Sequence, residues 1–183
     1  MAQSGSFLPA ERIRELAGAA ASRALPDELG ETLPVPIQAN GAIELLIMFY
    51  RETGPPGRRT VHPPEHAMRV DPFSGRVIRL WSCEPEDLGI VDPNASVQGV
   101  GIRPGMGWEE FTVMRDRLLA ISPLVWQAWA MGSTGTDPAT GELAREYLDL
   151  FRAITVDRVA PFYVQAAAPF FSWLNEMASS GAR

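Results

Sequence analysis

Both histidines of the chain, His62 and His66, stand four positions apart around a carboxylate, in His62-Pro63-Pro64-Glu65-His66. On a helix that spacing would aim two imidazoles at one metal ion, as in a metal hydrolase. Pro63-Pro64 forbid the helical turn this needs and force extended geometry, which carries the rings apart. The sequence therefore predicts no metal site here. It predicts a loop entering a strand, with Glu65 and His66 left as an acid–base pair at a sheet edge. Cys83 is the one cysteine, so the chain alone builds neither an intrachain disulfide nor a thiolate zinc or iron–sulfur centre.

Glu44 interrupts an otherwise apolar run, Ile43 to Tyr50, and an unpaired carboxylate is costly to bury. It calls for an arginine from a neighbouring strand, Arg69 or Arg79, or else for a raised pKa suited to proton transfer. If the protein is an enzyme, Glu44, Tyr50 and His66 are its expected polar groups. Such an enzyme would be a cofactor-independent isomerase or cyclase enclosing an apolar substrate between sheet and helices.

Other constellations point away from catalysis. Gly99-Val100-Gly101-Ile102-Arg103-Pro104-Gly105-Met106-Gly107 precedes a helix, but it is not G-x-G-x-x-G. Glu109 and Glu110 in the first helical turn would repel a phosphate there. No G-x-S-x-G elbow occurs, and the spaced acids Glu109, Glu110, Asp116, Glu142, Glu146 and Asp149 read as solvated helix faces without a Glu-x-x-His pair. All 16 basic side chains are arginine. The absence of lysine excludes Schiff-base enzymes, pyridoxal phosphate attachment and phosphate-loop NTPases. It also suggests a GC-rich bacterial or phage genome. No cofactor is expected.

Charge is unevenly distributed. The net charge is −6, yet Arg51 to Ser82 holds six arginines against three carboxylates, a surplus of three that leaves −9 for the rest. General nucleic-acid binding is not expected at a pI near 5.0. A local basic face for an acidic partner is. The expected binding residues are Arg58, Arg59, Arg69 and Arg79 on that face, with Trp81, Trp126, Trp129 and Trp173 as aromatic contacts. Core packing is the competing role for Trp126 and Trp129, which share one side of a helix.

The elements that must position these residues follow from pattern. Pro9 opens an alanine-rich helix with Ile13, Leu16, Ala17, Ala20 and Ala24 on one face, ending before Pro26. After a loop from Pro26 to Thr32, Val35 to Arg51 reads as a single strand apolar on both faces and hence central. Asp71-Pro72-Phe73-Ser74-Gly75 is a strong turn between strands at 65–70 and 76–82. Residues 39–82 are therefore expected to form a three-stranded antiparallel meander. A long irregular connection, 84–107, leads to helices from Trp108 to Ile121 and Leu124 to Met131, broken at Ser122-Pro123. Asp137 caps the next helix, with Leu143, Tyr147, Leu150, Phe151 and Ile154 on its stripe. A last helix, from Asp157 or Pro161 to Ala178, looks kinked at Pro169 and apolar nearly all round.

The expectation is a single α+β domain over 1–183. An N-terminal helix and the meander occupy 1–83, and three to four helices packed on the sheet occupy 108–178. No stretch has the length and apolarity of a membrane span, the first residues lack a secretory signal's apolar run, and the lone cysteine suits a reducing compartment, so a cytoplasmic location is expected. The leading functional expectation is a non-catalytic protein-binding component, an immunity, adaptor or assembly protein. A homo-dimer through the 159–178 helix would be one way to cover its apolar surface.

Overall fold

The Asp71–Gly75 turn forms as its residues dictate. Asp71 accepts hydrogen bonds from Phe73 N (2.9 Å) and Ser74 Oγ (2.8 Å), and Gly75 takes φ +70°. Around this turn the computed structural model builds one antiparallel sheet and four helices, describing residues 5–55, 60–84, 97–98, 107–134, 137–154 and 166–180. The elements in order are α1 (Ala10–Ala24), β1 (Leu29–Glu31), β2 (Val35–Ala39), β3 (Ala42–Thr53), β4 (Thr60–Val61), β5 (His66–Val70), β6 (Val77–Ser82), β7 (Val97–Gln98), α2 (Trp108–Ala130), α3 (Pro138–Ile154) and α4 (Ala168–Ser180). The α+β class stands.

The expected meander is present as β3, β5 and β6, but it is only part of the sheet. β3 also pairs with β1, β2 and β4, and β4 with β7. The single strand expected from Val35 to Arg51 is a hairpin, because Asn40 and Gly41 adopt φ of 52° and 77°. Two successive positive φ values make the tight turn whose twist matches its strands, and Asn-Gly is the pair best suited to it. Pro36 lies within β2, which the described residues pair only with β3, so its missing N–H costs no ladder bond on an open edge. The segment expected to be a loop before Thr32 contributes β1, paired Leu29 to Arg51 and Glu31 to Phe49.

β3 is buried from Glu44 to Tyr50, so both its faces are covered, as an apolar run of that length requires. One apolar cluster runs from Phe7 and α1 through β3 and β5 to α2, α3 and α4. In the helical half, Phe170 meets Trp129 at 5.4 Å and Tyr147 at 5.7 Å between ring centroids, both edge-on. The Tyr147 hydroxyl is wholly enclosed, and burial pushes its pKa up, opposed by the nearby Trp126 and Ser122 side chains.

Two helices differ from expectation. α2 runs unbroken through Pro123. Leu118, Leu119 and Ile121 before the proline and Val125, Trp126 and Trp129 after it are all buried, and this packing outweighs the lost backbone bond. The Ser122 hydroxyl donates to the Leu118 carbonyl at 2.6 Å. α4 starts at Ala168, which puts Pro169 in the first turn, where no N–H is required; the expected start between 157 and 161 lies outside the described residues. α4 is not apolar all round: Phe170, Leu174 and Met177 face the core while Ser172, Asn175, Glu176 and Ser179 are exposed. This polar outer face removes the reason for a homo-dimer through 168–178, and 159–165 lie outside the described residues. No helix among the described residues is long and apolar enough to cross a membrane.

Candidate functional site

Strand register decides which candidates can act together. Residues directly opposite across antiparallel strands share a face, and successive residues alternate. Leu46 opposes Arg69, and Arg69 opposes Arg79, while Ala67 opposes Trp81. Glu44, Arg69, Arg79 and Trp81 therefore lie on one face of β3, β5 and β6. Phe49 opposes His66, and His66 opposes Ser82, which puts His66 on the other face.

The proposed enzymatic trio is thus dispersed. Glu44 and Tyr50 share a face of β3 but stand six residues apart, about 20 Å along an extended strand. His66 projects from the opposite side. Its Nδ1 is buried, with no hydrogen-bond partner among the described residues.

Glu44 meets the fate that its burial demanded. Its side chain is 8% exposed and Arg69 reaches it with both arms of the guanidinium: Nε bonds Oε2, and Nη2 bonds Oε1 at 2.9 Å. The bidentate geometry satisfies the planar donor set of arginine. The Glu44 hydrogen bond and charge raise the Arg69 pKa further above its ordinary value. A carboxylate gripped in this way is a structural anchor between β3 and β5.

Toward the outer edge the stripe becomes accessible. Arg79 lies over the Trp81 ring, 4.9 Å from its centroid, within cation–π range. Arg79 is exposed, Trp81 half-buried, and the neighbouring Ile78 is 39% exposed. Arg76 is also exposed. Arg58 and Arg59, expected on the same face, lie outside the described residues, as does the side chain of Trp108.

The remaining tryptophans occupy other places. Trp126 and Trp129 are buried in the helical core, so the folded chain offers neither to a partner. Trp173 is half-buried, its Nε1 donating to the Ser133 carbonyl at 2.9 Å, which ties α4 to the turn before α3.

A second polar region lies at the end of β5. His62, Pro63, Pro64, Glu65, Ser82, Cys83 and Glu84 line an open depression of about 310 Å³. Glu65 is held by Arg51 through bonds of 3.1 and 3.3 Å, and Arg51 also reaches Glu28 at 3.4 Å. The hydrogen bond from Arg51 keeps the Glu65 carboxyl below the usual carboxylate range. His62 shares a hydrogen bond of 2.8 Å with Thr53 Oγ1, and the Cys83 thiol is buried against the Pro64 carbonyl. Among the described residues no group of three or more His, Cys, Asp or Glu could hold a metal ion. The Gly99–Gly107 run lies outside the described residues up to Met106.

What sequence reasoning missed is the Asn40-Gly41 turn, which folds Val35–Ala39 back along one side of β3 while β5 takes the other; β6, the third strand of the expected meander, lies at an edge among the described residues. Compared with known proteins, the chain matches no family model, no curated protein and no solved structure.

Proposed function

We propose that this is a non-catalytic protein-binding component, of the immunity, adaptor or assembly kind, whose contact surface is the β5–β6 end of the sheet. One observation carries the proposal: the outermost strand presents Arg79 laid over Trp81 beside the exposed Ile78. Arginine and tryptophan are the side chains that most often anchor protein interfaces, and stacking holds the guanidinium in place before any partner arrives.

The enzymatic reading draws less support. Its general base, Glu44, is already spent on Arg69, and Tyr50 and His66 lie too far away or on the wrong face.

The test is site-specific photo-crosslinking in the native host, with the reactive group at Ile78 and, as control, at Val113, which is exposed on α2. The expected result is a discrete crosslinked protein from position 78, lost on Arg79→Glu and absent from position 113. Identical crosslink patterns from both positions would count against the proposal.

A further inference from the structure

Resting on the protein-binding reading, the geometry points to its mode: β6 accepts an extended acidic segment of the partner protein as an added strand. β6 is one end of the sheet, and among the described residues no strand pairs with its outer side. An edge strand turns half of its backbone N–H and C=O groups outward, ready to continue the ladder. Six residues, Val77 to Ser82, offer about 20 Å of such edge.

Charge selects the occupant. Arg12, Arg14, Arg51, Arg69, Arg115 and Arg117 each have a carboxylate partner. Arg76 and Arg79, on or beside β6, have none among the described residues and are exposed. Val77–Ser82 contains no acidic residue, so a second copy pairing β6 to β6 would bring arginines together with nothing to neutralise them, at a cost. The same two arginines that repel a second copy attract a carboxylate-bearing strand. β6 itself alternates, with Arg79 and Trp81 on one face and the half-buried Leu80 on the other. The matching segment therefore alternates acidic and apolar residues.

The probe is an acetylated, amidated peptide of about eight residues alternating Glu and Val. Its comparators are the Lys–Val analogue, the Glu–Val peptide N-methylated at alternate residues, and oligothymidylate. With the full chain, the Glu–Val peptide is expected to slow hydrogen exchange of the outward-facing amides of 77–82 by about tenfold or more at saturation. N-methylation removes the backbone donors without touching the carboxylates, and should abolish that protection. Arg76→Glu/Arg79→Glu should weaken binding by about tenfold or more while the chain stays folded, since both side chains are exposed.

Any of four results overturns the inference. These are outward-facing β6 amides already protected in the free protein, protection by the N-methylated peptide equal to its parent's, equal competition by oligothymidylate, and a free chain that runs as a dimer with its outward-facing β6 amides protected. If strand addition fails while the Ile78 crosslink still captures a discrete protein, the mode falls and the protein-binding reading stands; loss of the crosslink removes both.

Discussion

Replacing Arg69 by alanine strands a carboxylate inside the sheet, and the cost follows from its surroundings. Glu44 is 8% exposed and Arg69 18%, Ile37 and Leu46 are its strand neighbours on that face, and both Glu44 oxygens bond the same guanidinium. Removing one member of a buried ion pair typically costs 3–5 kcal/mol. The partial exposure of Arg69 lets some water reach the gap, which places the expected loss near 3 kcal/mol. For a chain of this size that lowers Tm by about 6–12 °C. Glu44→Ala should cost less than Arg69→Ala, because a long arginine can turn its charge toward solvent and a strand-bound carboxylate cannot. The double variant Glu44→Leu/Arg69→Met, which fills the space with apolar groups, should lie within about 1 kcal/mol of the parent. Urea denaturation at neutral pH, followed by far-ultraviolet dichroism and tryptophan fluorescence, measures all three. A loss below about 1 kcal/mol for Arg69→Ala, or a double variant as unstable as that single one, would refute the reasoning.

Two further perturbations test the turns and the surface carboxylates. At Gly75 an added Cβ would lie 2.3 Å from Leu16 Cδ1 at φ +70°, whereas at Gly41, φ +77°, nothing lies within 4 Å. Gly41→Ala should thus cost about 1 kcal/mol for backbone strain alone, and Gly75→Ala about 1–3 kcal/mol more for the clash with α1; equal losses in thermal melts would show that Leu16 moves away freely. The carboxyls of Glu65, held by Arg51, Asp137, bonded by Thr140, and Glu146, held by Arg117, all sit below their ordinary pKa. A depressed folded pKa stabilises the protein above the unfolded value, near 4, and that stabilisation disappears as pH falls through the folded value. Stability should therefore drop as pH is lowered from about 5 toward 3. Glu65→Gln with Asp137→Asn should flatten the drop, and a pH profile identical to the parent's would contradict the assignment.

The local chemistry was legible wherever a few adjacent residues decide the outcome. Asp71 and Gly75 specify their turn, Asp137 and Pro138 start α3 with Thr140 N and Oγ1 both donating to Asp137, and Pro63-Pro64 keep the two histidines off a helix. Glu44 in an apolar run called for an arginine, Arg69 or Arg79, or for a raised pKa, and the register places Arg69 on it. Pro123 misled because a proline's effect depends on what surrounds it: buried neighbours carry α2 through it.

By itself the sequence determined the α+β class, the central apolar strand, the hairpin after β5, and the exclusion of chemistries that need lysine or clustered cysteine. Those depend on composition and on contacts between near neighbours. Tertiary structure alone decided which side chains of different strands share a face and that Val35–Ala39 and Leu29–Glu31 join the meander. The first depends on register, where a shift of one residue moves every side chain to the opposite side. That register separates Glu44, Tyr50 and His66, buries Trp126 and Trp129, and leaves Arg79 and Trp81 together on the outer strand.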